Sequence, residues 1–370
     1  MKKIVYGVYH DVNKEARSYE MLLACQKVGS VDFVSYAVPS GTDGIKSHII
    51  DKSSPFALFS FIKEMKKVIK KVRPDIVVLH DNDCSILIPF VRKHVPNAKI
   101  FYDSSELYIP MPGKKKKLIS DDGIAITIKQ MLTSFRKSYE KKYLKNADVI
   151  FAANLERAEI MRDYFGLSEL PLIFDNVHRI DDKYDAIECA KKFDSMFSEN
   201  GFNILFAGGI SEERKTFDYI DAVKKIGSDV NLVIVGTASP VAMERYKKAV
   251  LNADNIYYAG FITRAELRYL MTKSQASVVI FDKDSYNTLH CASGKCFESL
   301  FEGVPILASE NPPLARLCND YGIGVSSDNY GEAINKLRDN YEDYRANVNK
   351  YIKDIDYDNR LAELTKILEK

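Results

Sequence analysis

Short β-branched and apolar runs alternate with amphipathic stretches along this chain. In the first half the runs are Ile4–Tyr9, Val31–Val38, Asp75–His80, Lys99–Asp103, Asp148–Ala153 and Leu172–Asp175. Helical periodicity separates them, as in Glu15–Val28, Phe56–Val72 and Thr127–Leu144. Strands spaced by helices of that length predict parallel βαβ units. The pattern then begins again. Phe202–Gly208, Val230–Gly236, Asn255–Ala259, Ala276–Phe281 and Val304–Ala308 are near-continuous apolar runs, as a sheet covered on both faces requires. Between the two sets, His178–Gly201 is polar and lacks strand character. The chain is therefore expected to be α/β, with two Rossmann-like domains at 1–177 and 202–341, a linker at 178–201, and a charged helical segment at 342–370. Tyr351, Ile355, Leu361, Leu364 and Ile367 give that last segment apolar positions, so its helix is expected to pack back on the first domain. Ligands of open parallel sheets bind outside the carboxyl ends of the strands. Two such domains are expected to face each other across a cleft.

Composition narrows the class. With 370 residues there is room for two cores, and 46% hydrophobic against 28% charged residues excludes a disordered chain. The opening MKKIVYGVYHD has an apolar stretch that stops at His10-Asp11 without a small-residue cleavage site, so it reads as a strand and not a signal peptide. No apolar run approaches the roughly 20 residues that span a bilayer. A cytoplasmic protein is expected. The six cysteines form no CxxC pair, and the closest two are five apart, which argues for free thiols and no metal site.

Net charge is +2, yet residues 1–178 hold 28 Lys and Arg against 21 Asp and Glu, and the remainder 25 against 30. The first half is thus expected to face something anionic, either a phosphorylated acceptor or a membrane surface. Lys114–Lys117, beside the apolar Ile124–Ile128, reads as a contact to anionic lipids or a lipid-linked acceptor at the inner membrane face, or as a solvated loop. Nucleic acid is not among the expected partners.

Two segments carry candidate chemistry. In Phe202–Ala222 a buried strand ends in Gly208-Gly209, and a loop with Arg214 and Lys215 leads into a helix. Glycines let backbone approach a ligand, and a guanidinium can bridge phosphate oxygens. The plainer reading is a glycine turn with solvated cations. In Ser285–Ser309 a loop ends at Ser293-Gly294-Lys295, a short helix holds Glu298, and Gly303 closes it before a strand. Ser293 is a plausible N-cap, the helix start with Lys295 would face a diphosphate, and Glu298 would accept hydrogen bonds from ribose.

These segments, in this order and about 80 residues apart, resemble the GT-B glycosyltransferases, above all glycosyltransferase family 4 (glycosyl transferases group 1). Laid on that family, Gly208 matches its glycine, Arg214 its phosphate-binding Lys, Glu298 its ribose-binding Glu, and Gly303-Val304-Pro305 its Gly-x-Pro. The family's first arginine is replaced by Gly209, and His290 stands where the earlier of two glutamates lies. In the first half, His80-Asp81 and Asp103-Ser104-Ser105-Glu106 resemble a His-Asp and an Asp-x-His-Glu, with Ser for His.

The resemblance implies transfer of a sugar from a nucleotide-diphosphate donor, a uridine one, to a carbohydrate or lipid-linked glycan acceptor, without metal or cofactor and with retention. Arg214 and Lys295 would stabilise the leaving diphosphate. Gly208, Gly209, His290, Ser293, Gly294 and Glu298 would complete the donor site. His10, Arg17, Asp81 and Glu106 would meet the acceptor, with Glu106 or Asp81 as base should the enzyme invert. Asp282-Lys283-Asp284 resembles the metal-binding Asp-x-Asp of the other large glycosyltransferase fold, which the duplicated organisation disfavours. Two other readings remain open. One is a sugar-nucleotide 2-epimerase of the same fold; the other is an inactive partner subunit, suggested by Gly209, His290 and Ser105.

Overall fold

The computed structural model describes residues 1–54, 56–112, 134–212 and 214–370. The chain folds into two compact units, Met1–Asn176 with Tyr357–Lys370, and Val177–Asp356. Lys114–Lys117, Ile124–Ile128 and the start of the helix expected at Thr127–Leu144 lie outside the described residues; 134–143 is helical.

In the first unit the strands are β1 (Lys2–Gly7), β2 (Gly29–Ser35), β3 (Lys46–Ile49), β4 (Ile76–His80), β5 (Lys99–Ser104), β6 (Val149–Ala152) and β7 (Leu172–Ile173). They form one parallel sheet ordered β3-β2-β1-β4-β5-β6-β7. The helix Ala16–Val28 covers one face, where Met21 and Leu22 meet Ile4, Tyr6 and Phe33. The helix Ala57–Val72 also lies on this sheet, burying Phe61, Met65 and Val68. The closing helix Arg360–Glu369 packs on Ala16–Val28 through Leu364 and Leu368, as expected of a C-terminal helix returning to the first domain. Its Arg360 pairs with Asp175 at 2.5 Å and Glu20 at 3.5 Å.

The second unit repeats the plan with β8 (Phe202–Ala207), β9 (Val230–Val235), β10 (Ile256–Gly260), β11 (Ala276–Val279), β12 (Ile306–Ala308) and β13 (Gly324–Ser326). Its parallel order is β10-β9-β8-β11-β12-β13. In both sheets the order reverses beside the first strand, between β1 and β4 and between β8 and β11. At such a switch the loops leave in opposite directions and open a crevice at the carboxyl ends.

The segment read as a linker is folded into the second unit. It carries the helix Ala186–Phe193, capped by Asp185, and buries Ile180, Cys189 and Phe193 beneath Tyr269 and Leu270. Its apolar positions recur at helical and not strand spacing, which is why it lacked strand character. The 342–370 segment also divides. Tyr341–Asp354 packs Val348 into the second unit, and Arg360–Glu369 returns to the first.

Candidate functional site

At the switch point of the second unit, the turn after β8 is built for close approach. The amides of Gly208 and Gly209 both donate to Val235 O, at 3.0 and 2.7 Å. Gly209 has φ 78°, and a Cβ there would stand 2.1 Å from Thr237 O. No other residue fits that crossing. Thr216 Oγ1 donates to Gly209 O at 3.1 Å, and Ser211 Oγ accepts from Arg214 N at 3.2 Å, so the loop has a fixed course. That course turns the Arg214 guanidinium inward. Its Nη1 donates to Ile280 O at 3.4 Å, beyond the end of β11, and its Cζ lies 5.5 Å from the centroid of the Phe281 ring. An open hollow of about 530 Å³ adjoins it, lined by Gly208, Ser211, Arg214, Thr237 and Ser239 among others.

The helix Gly294–Phe301 supplies the other side. Ser293 caps it, its Oγ accepting from Cys296 N at 3.3 Å. Lys295 extends to the end of β8 and donates to Ala207 O at 2.6 Å. Burial lowers the pKa of this ammonium and the nearby Arg214 charge lowers it further, although Glu298 opposes both. Arg214, Lys295 and Glu298 therefore share one electrostatic neighbourhood. Among the described residues neither cation has a carboxylate within ion-pair distance; each is tethered to a strand-end carbonyl.

Glu298 is buried, and its Oε1 accepts from His178 Nε2 at 3.0 Å and Arg264 Nη1 at 3.2 Å. Burial would raise its pKa, but the His178 hydrogen bond and the charges of His178, Arg264 and Lys295 hold it below the usual carboxylate range. A Cβ on Gly294 would stand 2.1 Å from His178 Cε1, so glycine at 294 lets this imidazole reach Glu298. Neither His178 nor Arg264 stood out in the sequence. His178 falls in the stretch read as a linker. Arg264 follows Thr263 in a capping box with Glu266, a pattern that is readable but announces only a helix start. His290 ends the helix Tyr286–Leu289, its ring 5.8 Å from Tyr286. Asp282 accepts from Thr288 Oγ1 and Asp284 N, at 2.7 and 2.9 Å, and so shapes its own loop.

The switch point of the first unit gathers a different set. Arg17, its side chain 1% exposed, grips Asp103 through Nε and Nη2 and lies 4.5 Å over the Phe174 ring. Asp103 also faces His80 Nδ1 at 3.1 Å, while His80 Nε2 faces Glu15 at 3.2 Å and Asp81 at 3.6 Å. Glu15 meets His10 Nε2 at 2.8 Å. Burial disfavours charge on His80, yet Glu15, Asp81 and Asp103 together raise its pKa well above that of a free imidazole. His10, Glu15 and His80 are close enough to hold a metal ion, with ligand atoms within 4.8 Å, but their spacing is that of ion pairs.

Asp81, at φ 58°, accepts from Ser105 N, Ser105 Oγ and Glu106 N at 2.8, 2.8 and 3.0 Å. Its oxygens tie two loops together. Arg17 is closed off from solvent, so a direct acceptor contact is not open to it. His10 is half-buried and Glu106 exposed, and both remain reachable. Glu15, His80 and Asp103 complete the cluster. Only the His80-Asp81 and Asp103–Glu106 motifs signalled it in the sequence, and Glu15 had no signal beyond its place before the first helix.

Residues 189–355 match the family described as glycosyl transferases group 1. No curated protein matches the chain at the sequence level. Among solved structures, sucrose-phosphate synthase (tll1590) from Thermosynechococcus elongatus is similar with a TM-score of 0.72 at 12% identity, covering 100% of this chain and 98% of that one. Anabaena Alr3699/HepE, solved in complex with UDP-glucose, has a TM-score of 0.70 at 11% identity, with 100% and 99% covered. WaaG, a glycosyltransferase involved in lipopolysaccharide biosynthesis, has a TM-score of 0.65 at 12% identity, with 98% and 99% covered.

Proposed function

We propose that this chain, which has the GT-B fold and matches the glycosyl transferases group 1 family across residues 189–355, is a glycosyltransferase that takes its sugar from a uridine-diphosphate donor bound at the β8–β11 switch point. The observation that carries this reading is the pair of cations, Arg214 and Lys295, tethered to strand-end carbonyls without a carboxylate partner among the described residues. Two cations held close enough that the Arg214 charge lowers the proton affinity of Lys295 make a site that an anion relieves. As the sugar leaves, negative charge grows on the β-phosphate. Fixed cations stabilise that charge more in the transition state than in the ground state. Protein groups then supply the charge that a metal supplies elsewhere.

Gly208, which lines the hollow, leaves room for the diphosphate, Gly209 holds the turn against Thr237, and the amides after Ser293 face the ligand. Glu298 is held ionised to accept from the ribose hydroxyls, and His290 lies on the donor-sugar side. One fold relative adds support, Anabaena Alr3699/HepE, solved both with UDP-glucose and with UDP. Transfer with retention, to a carbohydrate or lipid-linked acceptor bound by the first unit through His10 and Glu106, completes the reading.

Thermal-shift titration with UDP, ADP and GDP and their glucose conjugates tests it. A uridine nucleotide at 100 times its Kd should stabilise folding by about 2.7 kcal/mol, and Arg214→Ala should remove that shift without lowering the ligand-free midpoint. An undiminished shift in Arg214→Ala would sink the site. Conversion of the sugar nucleotide with no acceptor present would move the activity to an epimerase.

A further inference from the structure

The helix Ala57–Val72 has two unlike faces, and its outer one is not covered by the sheet. Ala57, Phe61, Met65 and Val68 turn inward. Phe56, Phe59, Lys63, Lys67 and Lys70 recur at spacings of three and four and make one outward stripe. Phe56 and Phe59 are each 70% exposed, at the N-terminal end of that stripe. From Phe56 to Arg73 the chain holds six Lys and Arg against one Glu. That Glu64 is partly neutralised by Lys67 at 3.1 Å and faces His48 at 3.5 Å. Lys66 and Lys70 extend along the Phe90 ring of the neighbouring helix Ile88–His94, 5.4 and 5.6 Å from its centroid, which widens the basic surface.

We propose that this face docks the protein on an anionic phospholipid bilayer, with Phe56 and Phe59 entering the headgroup layer and Lys63, Lys67 and Lys70 meeting the lipid phosphates. The order of residues along the stripe favours this occupant. Aromatic rings grouped at one end can pass below the phosphates while the ammonium groups, on long apolar stems, stay level with them. A single-stranded nucleic acid would want rings interleaved with cations along a groove, so that successive bases stack. A protein partner, or a second copy of this chain, would want an apolar centre poor in lysine. The stripe is the reverse of both. It does not include Lys114–Lys117, and it does not depend on which sugar nucleotide the second unit takes.

The full chain should co-float with vesicles of phosphatidylcholine mixed with phosphatidylglycerol, but not with pure phosphatidylcholine, and added salt should release it. A lysine near such a surface is worth about fivefold in partitioning, so Lys63→Gln/Lys67→Gln/Lys70→Gln should lose roughly a hundredfold. Phe56→Ser/Phe59→Ser should lose at least about tenfold. Neither variant should alter the thermal midpoint or the shift produced by UDP, which separates lost docking from lost folding or lost donor binding. Three outcomes would overturn the proposal. One is wild-type protein that ignores phosphatidylglycerol vesicles. Another is flotation that both variants retain and only a Lys114–Lys117 glutamine variant loses. The third is poly(U) binding or self-association that the two variants abolish while flotation persists.

Discussion

The two units place charged side chains at equivalent points of equivalent sheets, and they treat those charges in opposite ways. Beside β1 and β4, Arg17, Asp103, His80, Glu15 and His10 run in an unbroken chain of pairs. Beside β8 and β11, Arg214 and Lys295 donate to backbone carbonyls and have no carboxylate partner among the described residues, and Glu298, whose charge acts on Lys295, is taken by His178 and Arg264. A paired charge is part of the fold, because removing its partner leaves an unsatisfied ion in low dielectric. An unpaired cation lowers stability a little and gains when an anion arrives. The fold alone does not say which switch point binds a charged ligand. The state of its charges does.

The sharpest way to break this contrast is to delete one cation from each side. Arg17→Met leaves Asp103 with only His80 and should cost about 3–5 kcal/mol, read as a lower denaturant midpoint. Nucleotide affinity of the folded fraction should not change. Full stability with abolished turnover would instead make the first cluster part of the chemistry. Lys295→Met should do the opposite. It removes an ammonium whose burial and Arg214 neighbour disfavour its charge, so stability should hold or rise. Turnover should fall about 10²–10³-fold, as when one transition-state donor is lost. A Lys295→Met enzyme with unimpaired kcat would end the assignment.

How much of this was readable follows from the same contrast. Both sheets were legible because strands buried on two faces are continuous apolar runs, as in β4 and β9. β3 and β13 were not, since Lys46–Ile49 is a half-exposed edge and Gly324–Ser326 is too short to show a period. Gly208, Arg214, Lys295 and Glu298 were legible because they sit in ordered motifs. Their partners were not. His178 reaches Glu298 across 120 residues and Arg264 across 34. Such pairings are set by packing, for instance by the missing Cβ of Gly294, and no local pattern encodes them. Arg17 was legible as a polar residue near the sheet end, but its burial against Asp103 and Phe174 turns it from a ligand contact into a structural tie.

A third test concerns a carboxyl beside the first network but outside it. Glu140 accepts from Tyr102 Oη and Asn82 Nδ2, both at 2.6 Å, and burial raises its pKa to about 7. A carboxyl with a raised native pKa holds its proton more tightly when folded. Stability should therefore fall as pH rises from the ordinary carboxylate range through about 7. At 1.36 kcal/mol per pKa unit the full drop is about 3 kcal/mol. Glu140→Gln should flatten it, seen by comparing urea midpoints at about pH 5 and about pH 8. An equal slope in wild type and variant would place the titration elsewhere.

The smallest expected effect is the most specific. In the second unit Glu298 is kept ionised by His178 and Arg264, so these two act on a ligand through it and not by touching it. Ionised Glu298 can accept from ribose hydroxyls above its lowered pKa, and that contribution is lost as pH falls through it. His178→Ala removes the hydrogen bond and one charge, which moves the pKa of Glu298 upward. The acid limb of uridine-nucleotide affinity should then move toward neutral pH, with a loss at neutral pH of about tenfold or less, the worth of one charge-assisted hydrogen bond. The preference for UDP over 2′-deoxy-UDP should shrink with it, and Arg264→Lys should keep more of that preference than Arg264→Ala. An acid limb that stays in place in His178→Ala, together with an unchanged deoxy preference, would mean that Glu298 does not face the ribose. The two switch points would then differ only in their cations.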